Sequence, residues 1–95
     1  MDMILFGTGL VAKKILAYPL RAGNRIVGML DNNSSKWGKP FALGSKAYTS
    51  NILECIIQTP EKIKDMCYDF VIIAVLNGVW EIKKQLLDLG DRKST

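Results

Sequence analysis

Met3-Ile4-Leu5-Phe6-Gly7-Thr8-Gly9-Leu10-Val11-Ala12 is the stretch on which the reading of the fold turns. Its first four residues are an unbroken apolar run. A strand with one wet face alternates, whereas a run without alternation suits a strand covered on both faces, as in a parallel sheet. Gly7-Thr8-Gly9 breaks the run. Apolar residues then recur at Val11, Ala12, Ile15 and Leu16, with Lys13 and Lys14 pointing away, which is the stripe of a helix. The pattern G-x-G-x-x-A says little alone. Placed directly between a strand and a helix it says much more. Gly7 permits a tight turn, Gly9 lets a pyrophosphate lie against the backbone, and Ala12 lets the helix approach the sheet. The free backbone donors at the helix start then face an anion.

Working outward, Pro19 predicts a kink or an end of that helix near Tyr18, because proline removes the donor to Ile15 and clashes there. Gly23-Asn24 is a stop and turn. Arg25–Leu30 reads as a second strand ending at Asp31, followed by the loop Asn32-Asn33-Ser34-Ser35. Between Lys36 and Ser50, Trp37, Phe41 and Tyr48 are scattered among turn residues and predict no element. A third strand is expected at Cys55–Ile57. Thr59-Pro60-Glu61 starts a short helix, with Thr59 as N-cap and Pro60 at the first helical position. Phe70–Leu76 is the strongest strand. Val79–Leu89 is an amphipathic helix that Gly90 ends.

Strands that alternate with helices and are apolar throughout imply an α/β fold with right-handed crossovers. The expectation is a three-layer Rossmann-like half of about four parallel strands in the order 3-2-1-4, with flanking helices. Residues 1–90 form one nucleotide-binding domain and 91–95 a frayed polar tail. With the fourth strand at a sheet edge, pairing with another copy or another chain is expected.

Asp31 stands twenty-two residues after Gly9, at the carboxyl end of the second strand. A carboxylate there accepts the hydroxyls of an adenosine ribose and repels a 2′-phosphate, favouring NAD over NADP. The plainer reading of Asp31 is a turn residue ahead of Asn32-Asn33. Asn77-Gly78 reads equally as a tight turn or as part of the same crevice, with the backbone of Val75, Leu76 and Asn77 lining a nucleotide. The expected binding residues are therefore Gly7, Thr8, Gly9, Leu10, Val11, Asp31, Asn32, Val75, Leu76 and Asn77.

The pieces Ile4–Gly9, Ile26–Asn32, Ser35–Lys39, Tyr68–Ala74 and Glu81–Leu86 resemble the N-terminal Rossmann-type domain of bacterial polysaccharide-biosynthesis proteins. That group includes nucleotide-sugar epimerases and dehydratases and the domains attached to sugar-modifying transferases. The run Leu30-Asp31-Asn32-Asn33 with Lys36-Trp37-Gly38-Lys39 is the more particular part. The resemblance implies binding of NAD or a nucleotide-sugar, within an enzyme of sugar or polysaccharide biosynthesis. The chain departs from the pattern at Ala12, at Pro19 and in the long stretch Pro40–Glu54.

Composition narrows the chemistry. The 95 residues include no histidine, so neither a Ser-His-Asp nor a Cys-His system is built within the chain. Tyr18, Tyr48 and Tyr68 are followed four residues on by Ala22, Ile52 and Ile72, not by the lysine of short-chain dehydrogenases. No complete catalytic set is present. The alternatives are a fragment of a dehydrogenase, epimerase or dehydratase, or an oligomerisation domain with a vestigial site. Cys55 and Cys67 match no zinc spacing and read as reduced residues in or near the core. Trp37 and Trp80 read as partial core or interface. Lys36 and Lys39 either reach a phosphate or are solvated. The net charge of +4 is spread along the chain without a shared stripe of basic and aromatic residues, which argues against nucleic acid. No run is long enough to span a membrane, and no leader pattern opens the chain, so a cytoplasmic protein is expected.

Overall fold

The computed structural model describes residues 1–41 and 49–90. Tyr48 and the expected tail 91–95 lie outside the described residues. Strand β1 (Asp2–Phe6) sits inside the sheet, paired in parallel with β2 (Arg25–Leu30) on one side and β4 (Phe70–Ile73) on the other. β3 (Ile57–Gln58) pairs in parallel with β2, giving four strands in the order β3-β2-β1-β4. The unalternating run of β1 is explained by cover on both faces. Met3 and Leu5 point into one core, Ile4 and Phe6 into the other, and all four are at most 1% exposed.

Helices α1 (Leu10–Ile15) and α2 (Ala17–Arg21) cover the first face, burying Ala12, Leu16 and Leu20 against Met3, Leu5, Ile26 and Met29. Helix α3 (Val79–Asp88) and a 3₁₀ segment, Pro60–Asp65, cover the second. They bury Leu86 and Ile63 against Ile4, Phe6, Leu30 and Val71. The result is the expected three-layer α/β arrangement with a Rossmann-like topology.

Several boundaries differ from expectation. The helix breaks at Leu16 rather than near Tyr18, and a new helix runs on to Arg21 with Pro19 as its third residue. A first-turn amide has no intrahelical acceptor, so proline loses nothing there. β3 begins two residues later than expected, at Ile57, and β4 ends at Ile73 instead of Leu76. Beyond Ile73 the chain turns away over the top of the sheet, and Leu76 is 83% exposed. The helix opened by Pro60 is 3₁₀, and Thr59 caps it with no side-chain hydrogen bond. Cys55 and Cys67 are free and exposed, outside the core, because each lies in a connection rather than on a covered strand.

The two edges of the sheet are unlike. Segment 38–41 runs antiparallel along the outside of β3, where the Gly38 amide donates to the Ile57 carbonyl at 2.8 Å and the Ile57 amide to the Lys39 carbonyl at 2.9 Å. No described residue pairs with the outer edge of β4.

Gly28, inside β2, faces the thioether of Met66. A methyl group added there would lie 2.9 Å from the Met66 sulfur. That contact is the far end of a flexible side chain, which can yield. Removing a strand glycine also recovers roughly 0.5–1 kcal/mol of backbone entropy. Gly28→Ala is therefore expected to change stability by no more than about 1 kcal/mol, measured as a urea midpoint.

Candidate functional site

The carboxyl ends of β1, β2 and β4 meet at the Gly7-Thr8-Gly9 turn. Gly7 has φ +96°, and a Cβ there would fall 2.7 Å from the Ala74 carbonyl oxygen. Its amide donates to the Leu30 carbonyl at 2.8 Å, while the Ala74 amide donates to Phe6 at 2.8 Å. The turn is thus bonded to β2 and pressed against the exit of β4, and only glycine fits. Gly9 differs. It has ordinary φ of −94°, and nothing lies within 4 Å of where a Cβ would stand. Open space above Gly9 is what an approaching ligand needs.

The turn borders a cleft of about 510 Å³. Gly7, Thr8, Gly9, Leu10 and Val11 form one side. Asp31 and Asn32 form the second side, and Val75, Leu76 and Asn77 the third. Every residue assigned to a site from the sequence therefore lines one space. Gly78 adopts φ +78° as the N-cap of α3, and Asn77 lines the cleft. The amides of Gly9, Leu10 and Val11 have no acceptor among the described residues. α1 has only six residues, so these individual amides, more than a helix dipole, supply the positive potential.

Asp31 makes contacts to Thr8 that sequence reasoning missed. Its Oδ2 accepts from the Thr8 amide at 2.9 Å and from the Thr8 hydroxyl at 2.7 Å. Its Oδ1 accepts from the Asn33 amide at 2.8 Å. The carboxylate therefore latches the glycine turn to the end of β2. A carboxylate offers about four acceptor positions, so one is left for a ligand hydroxyl rather than two. Partial burial raises the carboxyl's pKa. The Asn33 amide, the Thr8 hydroxyl and amide, and the Lys36 ammonium together outweigh it, and the net shift is downward.

Lys36, for which the sequence favoured a solvated loop position, also lines the cleft. Its ammonium donates to the Thr8 carbonyl at 3.5 Å and lies 3.8 Å from Asp31 Oδ2. The signal for it lay in Asn33, whose side chain accepts from the Ser35 amide at 3.1 Å and starts a 3₁₀ turn, Ser34–Lys36. That turn folds the loop back over the glycines. Trp37 Nε1 donates to the Asp31 carbonyl at 2.7 Å, and the side-chain amides of Asn32 and Gln85 bond reciprocally at 3.0 and 2.8 Å. Both tryptophans are exposed, Trp37 at 41% and Trp80 at 78%, so neither is part of the core, and the Lys83 ammonium lies 5.5 Å from the centre of the Trp80 ring.

A slightly larger cleft, about 580 Å³, lies between α3 and the 3₁₀ segment Pro60–Asp65. Glu61, Glu81 and Asp88 line it against the one cation Lys84, and the excess of carboxylates opposes an anionic ligand. Among the described residues no group of three or more His, Cys, Asp or Glu is placed to hold a metal ion. No helix among them is long and apolar enough to cross a membrane.

A family model described as C2185-like, N-terminal, matches residues 1–94. The chain belongs to this C2185-like family. That match corrects the resemblance to polysaccharide-biosynthesis domains drawn from the sequence. The stretches behind that resemblance, Ile4–Gly9 and Ile26–Asn32 above all, are what any buried parallel strand followed by a glycine turn or an acidic turn requires. They identify a topology and not a lineage. The particular run around Lys36-Trp37 serves here to fold the loop onto the turn of this C2185-like domain. No curated protein matches the chain.

Proposed function

We propose that this domain binds a nucleotide through its diphosphate group, with NAD or a nucleotide-sugar as the ligand, in the cleft above β1, β2 and β4. The observation that carries the reading is the set of three amides, Gly9, Leu10 and Val11, that have no acceptor among the described residues, beside open space and the Lys36 ammonium. Diphosphate oxygens accept from the amides, and the cation offsets their charge. The remaining acceptor position of Asp31 takes one ribose hydroxyl. The Thr8 hydroxyl is spent on Asp31, so the domain holds a ligand and leaves chemistry to other groups. Two exposed free cysteines suit a reducing, cytoplasmic setting.

Titration calorimetry with NAD and a UDP-sugar tests this against Gly9→Ala. The added methyl meets nothing in the fold, so the melting temperature is expected to stay put. It occupies the ligand's approach, so affinity is expected to fall by about tenfold or more, the equivalent of about 1.4 kcal/mol. Equal affinity in the variant, or no heat from either ligand at millimolar concentration, contradicts the reading.

A second reading, an assembly domain with a vestigial site, is favoured by the unpaired edge of β4 beside exposed Leu76 and Trp80. Sedimentation at rising concentration is expected to show self-association, and a clean monomer throughout argues against it.

A further inference from the structure

The chain has five asparagines, and Asn77 alone is followed by glycine. The other four side chains are engaged. Asn24 donates to the Pro19 carbonyl, Asn51 donates to the Leu20 carbonyl, Asn32 pairs with Gln85, and Asn33 accepts from Ser35. The Asn77 side chain has no hydrogen bond among the described residues, and both Asn77 and Gly78 are exposed.

The Gly78 amide has no acceptor among the described residues either. Gly78 carries no Cβ to shield that nitrogen, and glycine leaves the backbone free to bring it onto the preceding side chain. Beyond its chain neighbours, the one group beside Gly78 is the Glu81 carboxylate, whose Oε2 lies 3.7 Å from where a Cβ would stand. An open nitrogen, an unheld side-chain amide next to it and a nearby base are the components of spontaneous asparagine deamidation.

We propose that Asn77 is a site of spontaneous deamidation, and that its conversion to a carboxylate disables the diphosphate cleft. The Gly78 nitrogen bonds to the Asn77 side-chain carbonyl carbon, and its proton passes to the Glu81 carboxylate or to water. The bond from that carbon to Nδ2 breaks and ammonia leaves, giving a cyclic imide. Water opens the imide at either carbonyl, to aspartate or to isoaspartate. Nothing is oxidised or reduced. Asn77 lines the same cleft as Gly9, Leu10 and Val11, so either product sets a negative charge where the diphosphate is to lie, and the two repel. A carboxylate ahead of the N-terminus of α3 suits that helix, so the fold is expected to survive. The effect on binding rests on the nucleotide reading above, and the modification itself does not.

The full chain, fresh and after incubation in mildly alkaline buffer, is mapped by peptide mass spectrometry and titrated with NAD and with a UDP-sugar. Asn77 is expected to convert well before the other four asparagines. Affinity is expected to fall by about tenfold or more in the converted chain, with its circular dichroism unchanged. Asn77→Gln closes the ring poorly and is expected to keep its own starting affinity through the same incubation. An Asn77 that stays intact, or converts no sooner than the others, overturns the site. Conversion without loss of affinity overturns the proposed consequence, as does an equal loss in Asn77→Gln. A fresh chain that binds neither ligand removes the nucleotide reading and that consequence together, while the masses alone decide the site.

Discussion

Gly7→Ala is expected to destabilise the domain by roughly 2–6 kcal/mol, a large part of the 5–15 kcal/mol typical of a whole domain. Two causes act together. A residue with a Cβ at φ +96° is strained, at about 1–3 kcal/mol. The new methyl would also stand 2.7 Å from the Ala74 carbonyl oxygen and 3.2 Å from its carbon. Ala74 is 3% exposed, and its amide is tied to Phe6, so that backbone cannot retreat without pulling on β4. Such overpacking adds about 1–3 kcal/mol. Urea denaturation read by circular dichroism measures the change. A loss below about 1 kcal/mol means that the turn does not press on β4 as described. Gly9→Ala is the contrast, since its methyl enters empty space.

Removing the carboxylate of Asp31 has the second largest expected effect. Asp31→Ala leaves the amide and hydroxyl of Thr8 without their acceptor, and Thr8 is only 5% exposed. A buried donor left unmet costs about 1–3 kcal/mol, and that is the expected loss. The Asn33 amide is exposed, and water replaces its bond at little cost. Acid is expected to act on the same latch. The folded-state pKa of Asp31 lies below its ordinary value of 3.8. Its contribution is therefore complete above that ordinary value and is lost as pH falls through the lowered one. The stability difference between the wild type and Asp31→Ala should be constant at neutral pH and shrink below about pH 4. A difference that persists unchanged into strong acid contradicts the latch.

Much of this architecture was legible because it depends on covalent and steric facts local to the sequence. The unbroken run Met3–Phe6 specified a strand covered on both faces, and Gly7 and Gly9 marked where the backbone must turn and where it must stay bare. Parallel crossovers then left little choice of strand order, and all ten expected residues came to one cleft. What escaped was set by partners far apart in the chain. The engagement of Asp31 with Thr8 joins residues 23 apart and depends on how the turn tilts toward β2. The place of Lys36 depends on a 3₁₀ turn started by an asparagine, a signal weaker than any periodicity. The strand end at Ile73 was misjudged because Ala74-Val75-Leu76 stays apolar after it leaves the sheet. Apolar composition there serves the cleft wall and, at Leu76, meets solvent. Pro19 was read as kinking or ending the helix near Tyr18, although the restart at Ala17 makes it a first-turn residue.

Those long-range contacts also separate two roles within the cleft. Gly7, Thr8 and Asp31 hold the turn in shape, with Lys36 against Thr8 and Asp31, whereas Gly9, Leu10 and Val11 offer amides that have no acceptor among the described residues. Only the second set is expected to respond directly to a ligand. The central claim is that a diphosphate rests on those amides. Two-dimensional amide NMR of the ¹⁵N-labelled chain, titrated with NAD and with a UDP-sugar, tests it most directly. Saturable shifts centred on the amides of Gly9, Leu10 and Val11 are the predicted result. Silence at those three amides at millimolar ligand, or shifts confined to the acidic cleft between α3 and Pro60–Asp65, would contradict it.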